Sequence, residues 1–426
     1  MGSPRLARLG KFFSVSLIYA GSIVLQLVTV IILARILGPE DFGRYSVYTA
    51  IALILVELLA LGSGDILIKQ VALRPARFPA LFGHSLILGA IGLVPSVLIL
   101  VAAVFAYSLA SPQSLVLVAL VGAVEIAFGR AGALGEQAFI GHKQAGRANS
   151  LRVAINAVRM AAAILVLLAG LQLDFVSWIA IQAVSTAISG VLVLLVTARR
   201  LGAPRLSLLP HRIVGGLPFS GTSVVRLTQL QVDRLLIGLV STPYVTGIYA
   251  AASRVIGLGT TPMVTLLRMT YPHFFARGKQ GIRAVMPFGL QVLAGLLGVA
   301  LCTVVFFYFA APYLPVLLGE EYRDAVGSAQ LLAPITFIFA FQYAGGDILS
   351  GVGQQMLRFI STVLNLLFIA AGILLFAREG GTTAVILAVL GGNGIGALAT
   401  WSFVLFLFSK APMEQAQQPV YLRVND

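Results

Sequence analysis

Acidic residues are scarce in this chain. Its 426 residues hold 15 Asp and Glu against 29 Lys and Arg, and charged residues make up only 10% of the total. Soluble domains carry roughly 25% charged residues, which excludes an ordinary soluble globular protein. Cysteine occurs once, as Cys302 within an apolar run, so no internal disulfide and no cysteine metal cluster are expected. Long polar segments are missing too. No connection between apolar runs exceeds about 18 residues, which leaves no space for a soluble catalytic or nucleotide-binding domain. The chain has no Walker A motif, excluding ATP hydrolysis within it, and no Asp-x-Asp metal motif.

What is present is apolar length. Hydrophobic residues make up 59% of the chain and the mean hydropathy is +0.98. A run of about 20 apolar residues crosses ~30 Å of hydrocarbon. Twelve such runs are read, at 12–34, 44–65, 81–107, 114–135, 150–170, 174–198, 213–240, 243–270, 284–311, 327–349, 357–377 and 382–409. The first is too long for a signal-peptide core and is followed by no small-residue cleavage site, so it is expected to remain as the first span. The fold class predicted is therefore all-α and integral to the membrane, with twelve transmembrane helices.

The net charge of +14 raises the possibility of nucleic acid, but its placement answers otherwise. With the amino terminus taken as cytoplasmic, alternate loops on that side carry Arg5, Arg8, Lys11, Lys69, Arg74, Arg77, Lys143, Arg147, Arg152, Arg199, Arg200, Arg205, Arg212, Arg277, Lys279, Arg283, Arg358, Lys410 and Arg423. The opposite side carries Arg35, Arg44, Arg323 and Arg378. Such asymmetry is the positive-inside signal, and it places both termini in the cytoplasm. No nucleic-acid partner is expected.

The chain also reads as two related halves. Pro39-x3-Gly43-x-Tyr45 recurs as Pro243-x3-Gly247-x-Tyr249, 204 residues later. Asn156-x4-Ala-Ala-x-Ile-Leu recurs from Asn365, 209 residues later. The matched spans are six apart, so direction across the membrane is kept and the halves are expected to be parallel repeats. Transporters built this way hold substrate between two bundles and alternate access to it. The divisions expected are an N-terminal six-helix bundle over 1–198, a cytoplasmic linker over 199–212, a C-terminal bundle over 213–409 and a cytoplasmic tail over 410–426.

The first hairpin, Ala34-Arg35-Ile-Leu-Gly38-Pro39-Glu40-Asp41-Phe42-Gly43-Arg44-Tyr45-Ser46, resembles the signature of the Wzx-like polysaccharide flippases. These belong to the multidrug/oligosaccharidyl-lipid/polysaccharide (MOP) exporter superfamily. Asp233-Arg234-Leu-Leu-Ile-Gly238 and Gly247-Ile-Tyr249-Ala-Ala-Ala-Ser-Arg254 are similar to the same family's later segment. The resemblance implies a MATE-like fold around a central cavity in the cytoplasmic (inner) membrane. It also implies movement of an undecaprenyl-diphosphate-linked oligosaccharide from the inner to the outer leaflet. Membrane lipids, polysaccharide polymerase and glycosyltransferases would be its partners. No lumen residue is carried over from the family by identity.

Candidate site residues rest on charge and depth instead. Six arginines lie inside apolar runs: Arg130, Arg159, Arg226, Arg234, Arg254 and Arg268. A guanidinium costs several kcal/mol at mid-bilayer, so these residues are expected to face a polar cavity or a partner. Arg226 and Arg254 sit ~14–15 Å deep at 1.5 Å per residue. A diphosphate accepts bidentate hydrogen bonds from such groups. Arg130 and Arg159 bring positive charge from the first half, completing the substrate-binding set. Arg268 is near enough to a span end to snorkel. Asp233 and Arg234 read as a structural ion pair. Glu125, Glu57 and Asp347 are the buried acids. Desolvation raises the pKa of an unpaired carboxyl, so they are the candidates for coupling to H+ or Na+. The alternative is pairing with an arginine, with Arg130 the nearest to Glu125 in sequence. No catalytic residue, metal ligand or organic cofactor is expected.

The leading expectation is a secondary transporter flipping a lipid-linked anionic glycan, and not an enzyme. A cation-coupled drug or metabolite exporter of the same superfamily is the alternative; surplus arginine is the wrong sign for its lumen. An integral-membrane polysaccharide-assembly enzyme is a third, weakened by the lack of large loops and of an Asp-x-Asp motif.

Overall fold

A computed structural model describes the backbone of residues 4–58, 60–377 and 380–411, with side chains outside 4–17, 19, 20, 211, 218, 222 and 226. Every regular element among the described residues is helical. In order these are α1 (Pro4–Leu58), α2 (Ser63–Leu73), α3 (Phe78–Ala106), α4 (Leu115–Gly141), α5 (Ala145–Leu168), α6 (Phe175–Leu201) and α7 (Pro210–Val240). Then follow α8 (Pro243–Gly259), α9 (Thr261–Gly278), α10 (Ile282–Ala310), α11 (Leu314–Leu318), α12 (Asp324–Leu332), α13 (Ile335–Gly351), α14 (Gln355–Phe376) and α15 (Gly381–Lys410). The chain forms two compact units, Met1–Gln231 and Val232–Asp426. The stretch 199–212, read as the linker, lies within the first of them.

Nine helices among the described residues are long and apolar enough to cross a membrane, or ten when α8 and α9, bent by 45°, count as one span. The twelve runs of the sequence merge and break at identifiable places. Runs 12–34 and 44–65 share the single helix α1, kinked at Gly38 (φ 66°, ψ 175°), with Pro39 next in line and unable to donate a backbone hydrogen bond. The second run ends early at Leu58, and the chain restarts as α2. α7 has the length for a span but not the hydropathy, because Ser223, Arg226, Thr228, Gln229, Gln231, Asp233 and Arg234 interrupt it. The run at 327–349 is shared by α12 and α13, which part at Pro334.

The first unit is built around α4, which packs against α2, α3, α5 and α6. Leu67, Val71, Phe78, Phe82, Leu134 and Ala138 form one of its cores. At the α1–α2 break, Gly62 (φ 67°) lies against the carbonyl oxygen of Gly216 in α7, and a Cβ there would stand 2.1 Å from that atom. In the second unit, α9, α10, α13 and α15 enclose Phe274, Val285, Leu296, Ala344 and Ile348. The α14–α15 contact uses small residues, with Gly392 against Ile369 and Gly396 against Asn365. Phe105, Leu120, Leu168, Phe309, Leu375 and Leu398 all point outward. Outward apolar side chains on helices of this length suit hydrocarbon as the solvent, and the protein is a multi-pass membrane protein.

The halves echo each other in backbone geometry. The α4–α5 turn places Lys143 at φ 60°, with Lys143 N–H on Ile140 O and Gln144 N–H on Phe139 O. The α13–α14 turn places Gly353 at φ 80°, with Gly353 N–H on Ser350 O and Gln354 N–H on Leu349 O. The two turns are alike bond for bond, 210 residues apart from 143 to 353.

Candidate functional site

A buried polar constellation of the first unit centres on Glu125 of α4, which is 8% exposed. Its carboxylate accepts from Gln182 Nε2 at 3.1 Å, from Thr186 Oγ1 at 3.1 Å and from Arg159 Nη2 at 3.4 Å. The Thr186 hydroxyl in turn accepts from Arg159 at 3.2 Å, closing a ring of three side chains. Tyr45 donates its hydroxyl to Gln182 Oε1 at 2.7 Å, tying the first hairpin into the same network. Trp178, Gln182 and Thr186 stand four residues apart, so they share one face of α6. That face packs on α4. The sequence pointed to Arg130 as the nearest partner for Glu125; the structure supplies Arg159 instead, from the neighbouring helix.

Arg130 lies one and a half turns further along α4 and is 3% exposed. It donates one hydrogen bond, Nη2 to Ser63 Oγ at 3.0 Å, at the start of α2. Its Nε and Nη1 are buried without a hydrogen-bond partner among the described residues. The carboxylates of Glu57 and Asp65, flanking the α1–α2 break, are the charges whose fields act on it. A guanidinium has five N–H donors, and leaving buried ones unmade costs about 1–3 kcal/mol each. An anion is the chemistry that satisfies such a group.

In the second unit, Asp233 of α7 accepts the Tyr249 hydroxyl of α8 at 2.5 Å, and Arg234 Nη2 reaches Ser253 Oγ at 3.5 Å. The two residues expected to form an ion pair each reach α8, and Asp233 accepts the backbone N–H of Arg234 at 2.9 Å. Tyr45 and Tyr249, the repeated tyrosines, each donate to a polar side chain of their own unit, buried Gln182 and half-buried Asp233. Arg254 is half-buried on α8 and faces Tyr322, whose hydroxyl is pushed up by burial and by Glu321 while Arg254 opposes the shift. Asp347 of α13 accepts from Arg358 Nη1 of α14 at 3.3 Å, and the same guanidinium donates to Ser350 Oγ. Arg268 is exposed. The side chain of Arg226 lies outside the described residues.

The hairpin signature proves architectural. Asp41 accepts from Arg44 at 2.6 Å and from the Phe175 N–H at 3.1 Å, so it anchors the start of α6, while Phe42 is fully buried. Sequence reasoning missed Tyr45, Ser63, Gln182 and Thr186 as site members. The signal available was the polar i, i+4 stripe of α6. Sequence reasoning also counted Arg358 with the cytoplasmic loops, although it is the second residue of the run at 357–377 and lies within α14. α14 starts at Gln355 because the turn closes on Gln354.

Solved structures define the fold class. The chain is similar to a multidrug resistance MATE family transporter of the MOP superfamily in an inward-facing conformation, at TM-score 0.73 and 16% identity, over 92% of this chain and 96% of that one. An outward-facing structure of such a transporter gives TM-score 0.61 and 17% identity, over 93% and 95%. A MOP superfamily transporter from Pyrococcus furiosus, described as having a binding pocket of reversed polarity that suggests a different function, gives 0.61 and 16%, over 93% and 95%. The fold is therefore that of MATE-type transporters of the MOP superfamily. Residues 9–277 match the family described as polysaccharide biosynthesis protein, and the chain belongs to that family. No curated protein matches it.

Proposed function

We propose that this protein is a flippase. Its substrate is an undecaprenyl-diphosphate-linked oligosaccharide, carried from the inner to the outer leaflet of the cytoplasmic membrane by alternating access for surface-polysaccharide assembly. The family and the transporter fold support this reading, and one observation carries it: Arg130, buried in a membrane unit with two of its nitrogens, Nε and Nη1, left without a hydrogen-bond partner among the described residues. A diphosphate oxygen is a strong acceptor of guanidinium hydrogen bonds, and Arg130 Nε and Nη1 have no such acceptor among the described residues. Arg159, Arg226 and Arg254 are the further members of the proposed binding set.

Glu125 is the proposed coupling group. While ionised it holds Arg159; on protonation, or on binding Na+, it releases that guanidinium to the substrate phosphate. Glu57 and Asp347 are the other coupling candidates, with Asp347 engaged by Arg358. The asymmetry of basic loop residues in the sequence supports both termini in the cytoplasm, and a polymerase and glycosyltransferases are the expected neighbours in the pathway.

The test is export of surface polysaccharide in cells relying on Arg130→Gln. The expected result is loss of export with membrane abundance unchanged, and partial rescue by Arg130→Lys, which keeps the charge and loses the fork. Full export by Arg130→Gln overturns the anion-site assignment. Drug efflux by the wild-type protein, with no effect on polysaccharide, would favour the exporter alternative.

A further inference from the structure

The second unit carries a feature that substrate transport does not use. No Asp or Glu occurs anywhere in residues 234–319 or 380–413. Where α9 ends, α10 begins and α15 ends, that stretch gathers Arg277, Lys279, Arg283 and Lys410. None of these four takes part in an ion pair among the described residues. Three of them are held against aromatic rings. The Arg277 guanidinium lies 3.9 Å from the Phe288 ring centre, Arg283 lies 4.8 Å from Phe408, and the Lys410 ammonium lies 4.3 Å from Phe406. Arg283 Nε also donates to the Ala411 carbonyl at 3.0 Å, which joins the α10 start to the α15 end.

A ring face holds a cation in place without neutralising it, because a quadrupole carries no net charge. The result is a shelf of fixed positive charge at the end of three helices, not paired with a carboxylate among the described residues. Below it the surface turns apolar at once: Met269 and Phe275 on α9, Leu290 on α10, and Leu405 and Phe406 on α15 are exposed. A charged shelf with apolar flanks matches a molecule with an anionic phosphate and attached acyl chains. A soluble anion has no use for the flanks, and a neutral or zwitterionic lipid has little for the shelf.

We infer that this end of the second unit binds an anionic glycerophospholipid, its phosphate on Arg277, Arg283 and Lys410 and its chains along α9, α10 and α15. The inference rests on the membrane-spanning fold alone and stands whatever the transported substrate is. It also agrees with the charge-based expectation that this end faces the cytoplasm, the side whose anionic lipids attract basic segments.

Native mass spectrometry of the full-length protein with added phosphatidylglycerol or phosphatidylcholine tests it. The wild-type protein should retain phosphatidylglycerol in clear preference. Each of Arg277→Gln, Arg283→Gln and Lys410→Gln should weaken that retention about fivefold. Charge-matched single controls in the first unit, Arg74→Gln, Arg77→Gln and Arg147→Gln, should each leave it unchanged. Equal retention of both lipids by the wild type overturns the proposal without any variant having to fold. So does unchanged retention in all three single variants. Displacement of phosphatidylglycerol by inorganic phosphate alone would show a soluble-anion site and overturn the lipid assignment.

Discussion

At the scale of single residues, the buried charges are organised by what each is left without. Glu125 has three donors around it, from Arg159, Gln182 and Thr186. Glu125→Gln keeps the shape and loses the charge, freeing Arg159 from its carboxylate. This variant is expected to keep its fold and membrane abundance while transport loses its dependence on the coupling gradient, read in proteoliposomes with and without a pH or sodium gradient. Transport that keeps the gradient dependence in Glu125→Gln would move the coupling role elsewhere. Tyr249→Phe is a stability test. It removes the hydroxyl that Asp233 accepts at 2.5 Å and leaves a half-buried carboxylate short of one donor. The expected cost is about 1–3 kcal/mol, measured as a lowered thermal midpoint in detergent.

Elements are held by their ends. α6 begins at Asp174, whose carboxylate accepts the Ser177 N–H at 3.2 Å, and the Ser177 interaction is the largest cause holding that carboxyl below its usual range. A depressed folded-state pKa means the cap's contribution is present above the ordinary Asp value near 4 and is lost as pH falls through the folded value. Asp174→Ala is therefore expected to cost about 1 kcal/mol at neutral pH, with the gap from wild type closing as pH drops well below 4. Thermal midpoints at several pH values would check this. The α1 kink makes a second prediction. Gly38 sits at φ 66°, so Gly38→Ala forces a Cβ into the left-handed region at roughly 1–2 kcal/mol and should straighten or weaken the hairpin. Reduced protein yield in the membrane is the readout, and Pro39→Ala should be milder because the kink survives at glycine.

For the whole molecule, the prediction concerns topology. Cys302 is the sole cysteine, so Cys302→Ser provides a cysteine-free background for single labelled positions. Cysteines placed in the turns at 142–144 and 352–354 are expected to react from the cytoplasmic side, and those at 108–111 and 170–173 from the opposite side. Labelling of all four turns from one side would refute the orientation read from the basic loops.

Much of this protein was legible from its chain of residues, and the limits have physical causes. Apolar length is a local property, so membrane residence and most helix positions followed directly from runs such as 81–107 and 284–311. Polar α7 and kinked α1 blurred the span count, because a kink at Gly38 interrupts a helix without ending it. Burial of Arg130 and Glu125 could be read from depth. Their partners could not, since Arg159 stands 34 residues from Glu125 and Ser63 stands 67 from Arg130. Repetition at 204 residues foretold paired tyrosines, but not that one would meet an amide and the other a carboxylate. Composition and periodicity decide which solvent a helix prefers; only packing decides which side chain from another helix arrives beside a buried charge, because that neighbour is set by helix contacts across long sequence separations.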